Sequence, residues 1–112
     1  MTTNGRCRLY ISGPVTGEID PFPAFREAEK FWRKNGYRVL NPARIGRCED
    51  WNFAMRMGLR MLAKADKVVV LPGWEKSQGA RLEVRIAFEL GISVVDHTTW
   101  HALPVPEHLE MF

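Results

Sequence analysis

The sequence predicts an α/β domain, a small doubly wound parallel sheet of about four strands with flanking helices. Three observations point there. Short apolar runs alternate along the chain with segments of helical periodicity. The run from Lys67 to Leu71 is almost continuously apolar, as a strand covered on both faces requires. Glycine and proline punctuate the ends of the runs, with Gly13-Pro14 after the first and Asn41-Pro42 after the second. Joined by right-handed crossovers, these elements make a flavodoxin-like or Rossmann-like sandwich.

The first strand is expected at Cys7 to Ser12 (CRLYIS), which alternates weakly and stops at Gly13-Pro14. A loop from Gly13 to Pro23 leads into a helix from Ala24 to Asn35, where Phe25, Ala28 and Trp32 fall at helical spacing and Asn35-Gly36 is the stop. The second strand follows at Tyr37 to Leu40. Beyond Asn41-Pro42 and a basic loop, Asp50 is placed to N-cap a second helix carrying Trp51, Met55, Leu59 and Leu62 on one stripe. The third strand is Lys67 to Leu71, the third helix Gly79 to Leu90 and the fourth strand Ile92 to Val95.

On the third helix, Leu82, Ile86 and Leu90 are expected to cover the sheet, leaving Val84 and Phe88 on a second apolar face. That face suggests a homo-oligomer formed through helix 79–90. The alternative is that the tail from His97 to Phe112 folds back over it with Leu103, Val105, Leu109 and Phe112.

A length of 112 residues fits one domain, with a core at about 7–96 and a tail at 97–112, and leaves no room for a separate substrate domain. Hydrophobic residues at 46% and charged residues at 26% exclude disorder as the main theme. A net charge of +3, from 16 basic and 13 acidic residues that interleave, is too mild for duplex nucleic acid as partner. It suits a small phosphorylated ligand, although surface solubility alone accounts for so modest a bias. Cys7 and Cys48 lack a metal spacing, and Cys7 is expected to pack in the first strand. No apolar stretch reads as a signal peptide or membrane span, so a cytoplasmic protein with reduced thiols and no membrane partner is expected.

In such sheets ligands bind outside the carboxyl ends of the strands, which selects the loops after the first three. The segment Val68 to Glu83 (VVVLPGWEKSQGARLE) passes from a buried strand through a glycine loop into a helix with a carboxylate one turn inside. That makes Glu83 the leading candidate. Ser12, Gly13, Thr16 and Gly17, in the loop after the first strand, offer hydroxyls and free backbone N–H groups where a phosphate or sugar can sit. Trp74, beside this site, is placed to stack on a base, whereas Trp51 is expected to pack. His97, His101 and His108 lie in a segment broken by Pro104, so tail histidines are expected there and no metal. No cofactor is expected.

Taken together, Tyr10-Ile11-Ser12-Gly13-Pro14, Gly36-Tyr37 through Asn41-Pro42, Ala65-Asp66, and Ser77-x-Gly79-x-x-x-Glu83 resemble the nucleoside 2-deoxyribosyltransferase superfamily, in particular its short phage and bacterial branch. The ordered set spans roughly residues 8 to 95 and is far more specific than any one motif. The resemblance implies attack by a carboxylate, Glu83, on the anomeric carbon of a 2-deoxyribose with loss of the base. It further implies that Tyr10 positions the nucleophile, although a strand aromatic also suits a core. It assigns a 5′-phosphate to Gly13, Thr16, Ser77 and Gly79.

One position departs from the pattern, because Gly58-Leu59 stands where the superfamily usually has an aspartate. Glu75 is the most plausible replacement acid, with Asp50 and Glu49 behind it, while Asp66 falls on the wrong sheet edge. The leading expectation is cleavage or transfer at an N-glycosidic bond of a nucleoside or nucleotide. A non-catalytic nucleotide-binding or sensing module, and a phage accessory protein acting through oligomeric contacts, stay open as alternatives.

Overall fold

The computed structural model describes residues 7–15, 22–45 and 50–106. Four strands, β1 (Arg8–Ser12), β2 (Arg38–Leu40), β3 (Lys67–Val70) and β4 (Ser93–Asp96), form one parallel sheet in the order β2-β1-β3-β4. Three helices connect them: α1 (Phe22–Lys34), α2 (Trp51–Leu62) and α3 (Gln78–Glu89). Short 3-10 turns at Pro42–Ile45 and Trp74–Lys76 extend the loops after β2 and β3. The predicted α/β class and element order hold.

Period-two alternation splits the sheet into two cores. Leu9, Ile11, Val69, Leu71 and Val95 pack with Phe25, Ala28 and Trp32 of α1. Tyr10, Val68, Val70 and Val94 turn to the other face, against Leu62 of α2 and Val84 and Ala87 of α3. Burying Phe25 alone stabilises the fold by roughly 1.5–3 kcal/mol. Ser12 shares the parity of Tyr10, so both side chains reach the α3 side.

Helix ends follow the sequence signals closely. Asp50 caps α2, its carboxylate accepting from the Phe53 N–H. At the end of α1, Gly36 adopts φ +93° while its N–H bonds the Arg33 carbonyl and the next N–H, from Tyr37, bonds that of Trp32. This left-handed stop is open to glycine at little cost and satisfies two orphan carbonyls.

Two packing expectations are corrected. α3 lays Ala80, Glu83, Val84 and Ala87 on the sheet, while Leu82 and Ile86 are half-buried and Leu90 is 57% exposed. Two alanines let the helix approach the strands closely, which leaves Leu90 outside while Ile86 keeps a partial contact with the core. Cys7 is a free, exposed thiol and does not pack. The start of the tail does fold back: Val95 bridges Ala102 in antiparallel fashion and Leu103 packs on the α3-side core. Val105 is exposed, and Leu109 and Phe112 lie outside the described residues.

The loop after β2 is tied to α1 by Glu29, whose burial the sequence pattern does not announce. Glu29 is 5% exposed and accepts from Asn41 Nδ2 at 2.9 Å and Arg44 Nη2 at 2.7 Å, with Arg33 Nε at 3.1 Å. Burial works against its charge, but the hydrogen bonds from Arg44 and Asn41 outweigh it and hold its pKa below the usual carboxylate range. A lowered native pKa gives stability that is present above the unfolded-state value and is lost as pH falls through the native one. Glu29→Ala should cost about 1–3 kcal/mol at pH 7 in urea unfolding, because Asn41 is left buried without its acceptor. The difference from the parent should shrink in acid, and equal stability at pH 7 would remove this role.

Candidate active site

The sheet order places β1 between β2 and β3, with α1 on one face and α2 and α3 on the other. The carboxyl ends of β1 and β3 therefore flank the topological switch point, the place where sheets of this kind bind ligands. Gly13 packs so tightly that a Cβ there would sit 2.9 Å from the Leu71 Cβ, and Pro14 Cγ would lie 3.4 Å from a Cβ on Gly73. The loops after β1 and β3 thus lie against each other. This close approach explains the glycine at position 13.

Glu83 lies beneath these loops, 7% exposed. Its Oε2 accepts from the Tyr10 hydroxyl at 2.7 Å and its Oε1 from the Ser12 hydroxyl at 2.7 Å. Both donors are fully buried, so each carboxylate oxygen is fixed by one O–H. Burial raises the Glu83 pKa above its ordinary value, opposed by the hydrogen bonds from Ser12 and Tyr10. Burial also pushes the Tyr10 phenol up, reinforced by the Glu83 charge and by their hydrogen bond, so Tyr10 keeps its proton and stays a donor. Helix-end electrostatics contributes less than the sequence suggests. The N-cap of α3 is Ser77, which makes Glu83 the sixth helical residue, beyond the first turn where the dipole acts.

A third element closes on the pair. A Cβ built on Gly58 would meet the Tyr10 hydroxyl at 2.9 Å and Glu83 Oε2 at 3.0 Å. The α2 backbone therefore rests directly on the Tyr10–Glu83 hydrogen bond. One turn earlier Met55 Sδ would be 3.0 Å from a Cβ on Gly79, with Trp51 Nε1 at 3.9 Å. The face of α2 that carries Trp51, Met55 and Gly58 thus runs along α3 from its first turn to Glu83.

Of the residues singled out in the sequence, Tyr10, Ser12 and Glu83 come together, with Gly13 in the adjoining loop. Tyr10 is both a core aromatic and a hydrogen-bond donor, so its two readings hold at once. Ser12 spends its hydroxyl proton on Glu83, which makes it a positioning group for the carboxylate. Ser77 Oγ accepts from the Ala80 N–H as the α3 cap, and Gly79 follows in the first turn. Glu75 is exposed in the turn Trp74–Lys76. Thr16, Gly17 and Glu49 lie outside the described residues.

Trp74 is half-buried and packs on the α3-side core, whereas Trp51 is 36% exposed at the start of α2. Asp66 accepts from the Arg8 N–H on the amino edge of the sheet, away from the ligand edge. His97 Nδ1 accepts from the Trp32 indole N–H at 3.0 Å, and His97 packs among Phe31 and Trp32. Among the described residues no group of three His, Cys, Asp or Glu side chains is placed to hold a metal, and His108 lies outside them. No helix among them is long and apolar enough to cross a membrane.

Sequence reasoning noticed Gly58 as a missing acid but did not see it as a packing contact. A signal existed, because glycine inside a helix costs about 1 kcal/mol relative to alanine and calls for a reason.

The family described as Domain of unknown function (DUF4406) matches residues 7–96, which hold the whole sheet and all three helices. No curated protein matches the chain. Among solved structures, that of a 2-deoxyribosyltransferase from the psychrotolerant bacterium Bacillus psychrosaccharolyticus is similar, with a TM-score of 0.62 at 19% identity, over 80% of this chain and 70% of that one. At that identity the likeness is one of fold.

Proposed function

The chain belongs to the DUF4406 family and has the nucleoside 2-deoxyribosyltransferase-like fold, and on that premise we propose that it cleaves or transfers at the N-glycosidic bond of a 2-deoxyribonucleoside or its 5′-phosphate. The observation that carries the reading is the buried Glu83 carboxylate, with one hydroxyl on each oxygen, at the ligand edge of the sheet. An Oε lone pair bonds to C1′ as the C1′–N bond breaks, and that bond's electron pair leaves with the base. Water or a second base then attacks C1′ and gives up a proton, the ester electron pair returns to Glu83, and the expelled base takes up a proton, so none is gained or lost overall. Tyr10 and Ser12 fix the angle of attack, and burial makes Glu83 more basic and a better nucleophile. Gly13, Thr16, Gly17, Ser77 and Gly79 are assigned to the sugar and 5′ end, with Glu75 as the acid nearest the leaving base and Trp74 beside it.

The test is release of free base from deoxynucleosides and deoxynucleoside monophosphates, followed by chromatography with and without an acceptor base. Release by the parent and not by Glu83→Gln supports the reading. Gly58 favours a second one, a nucleotide-binding module without turnover, since no acid side chain fits where α2 meets Glu83. Saturable nucleotide binding with no base released would select it.

We further assign a contact between copies to the outer side of α3, around Leu82 and the exposed Leu90 just past its end. Leu90→Lys should lower the mass measured by light scattering toward that of one chain. An unchanged mass, or a parent that is already monomeric, removes this contact. A reducing cytoplasmic setting, which a Cys7 thiol unreactive toward disulfide reagents in freshly lysed cells would oppose, accords with that free, exposed side chain.

A further inference from the structure

The three helices are held to the sheet unequally. α1 buries Phe25, Ala28, Glu29 and Trp32, and α3 buries Ala80, Glu83, Val84 and Ala87, so each is anchored along its length. α2 buries only Gly58 and Leu62. Its share of the core comes from its second half, where Leu59, Met61 and Leu62 join the cluster around Tyr10, Val68 and Val84. In the first half, Trp51 to Met57, no residue is buried. Two turns of helix are too short to be stable without packing, so this half is held only by the neighbours it has.

Met55 makes the contact with α3. Its Sδ lies 3.0 Å from the place a Cβ on Gly79 would take. Gly79 and Glu83 lie one turn apart on the same face of α3. Met55 and Gly58 stand over them in the same order, so Met55 occupies the way along α3 from the carboxyl edge of the sheet to Glu83. A thioether on a glycine is an adaptable contact, with three rotatable bonds on one partner and no side chain on the other. The loops after β1 and β3 are fastened more firmly: the Leu71 N–H bonds the Ser12 carbonyl at 2.9 Å, and Gly13 packs on Leu71. Glu83 is 7% exposed, and bond formation needs a ligand carbon within roughly 3–3.5 Å of its oxygen.

We propose that the first half of α2 is a lid over Glu83, which lifts from α3 about Gly58, withdraws Met55 from Gly79 and opens the way for ligand to reach the carboxylate. Gly58 suits a pivot, because glycine changes conformation at little steric cost and here divides the loose half of α2 from the anchored one. The purpose of the motion rests on the reading of Glu83 as the group that meets the ligand, since closure then keeps water from the reaction. The opening itself does not depend on turnover.

The experiment labels the carboxylates of the full chain with a water-soluble carbodiimide and an amine, and reads Glu83 and the exposed Glu75 by peptide mass at several low urea concentrations. Lifting half a helix exposes little surface, so labelling of Glu83 should stay nearly flat in low urea, whereas labelling through global unfolding climbs steeply. Met55→Ala should raise the Glu83 rate at least fivefold and leave Glu75 unchanged. A Glu83 rate that climbs as global unfolding does, in the parent or in the variant, or one that Met55→Ala leaves unaltered, would overturn the lid. Base release from the same preparations reads the reaction separately: labelling as expected without release removes the reaction and keeps the lid.

Discussion

Under the proposed reaction, Glu83→Gln should lower base release by a factor on the order of 10⁴ or more, because it would remove the atom that bonds to the sugar. The variant keeps the fold. A glutamine has the shape of the glutamate, its carbonyl can accept from one hydroxyl, and the other hydroxyl can rotate to accept from the new amide. It should also be more stable than the parent at neutral and higher pH. The native pKa of Glu83 is raised, so between the unfolded-state value of about 4.3 and the native one the folded chain holds the extra proton, and stability falls as pH rises through that window. Glutamine removes that loss. Thermal unfolding at pH 4 and pH 8, with base release measured on the same samples, checks both halves: a variant that still turns over, or whose midpoint stays below the parent's at pH 8, contradicts this account.

Gly58→Ala should destabilise the protein by about 1–3 kcal/mol, although alanine is the better helix former. The added methyl would lie 2.9 Å from the Tyr10 hydroxyl and 3.0 Å from Glu83 Oε2. Neither atom can swing aside, since Tyr10 is fully buried and the two are bonded to each other. Either α2 shifts outward, loosening Leu62 in the core, or the hydrogen bond breaks and leaves a buried phenol unsatisfied. Gly58→Asp should lose more, because a second carboxylate enters beside one that burial already disfavours. Urea unfolding of both variants orders the three proteins, and base release reads the effect on the site. A Gly58→Asp variant as stable as the parent would mean that α2 does not rest on Glu83.

These residues also show what a sequence can and cannot reveal. Tyr10, Ser12 and Glu83 were legible because strand parity and the βα order send them to one edge, whatever the details of packing. Gly58 and Glu29 were not, since each takes its meaning from partners far along the chain: Tyr10 and Glu83 for one, Asn41 and Arg44 for the other. The face of α3 was misjudged for a related reason. Leu82, Ile86 and Leu90 carry more apolar surface than Ala80 and Ala87, but closeness to the sheet favours the small side chains. Hydrophobicity ranks what benefits from burial, and fit decides which residues obtain it.

The central place of β1 has a consequence during synthesis. Leu9 pairs in register with Lys67, so the first strand made has no partner on that side until 58 further residues have been added. At translation rates of about 5–20 residues per second, the segment Leu9-Tyr10-Ile11 waits on the order of 3–12 s with apolar side chains and a bare backbone edge in water. Such windows are prone to intermolecular pairing, and charges or a proline at their borders restrain it. Arg6 and Arg8 stand on one side of this segment and Gly13-Pro14 on the other. The punctuation that shapes the finished ligand edge also guards the nascent strand before its neighbours exist.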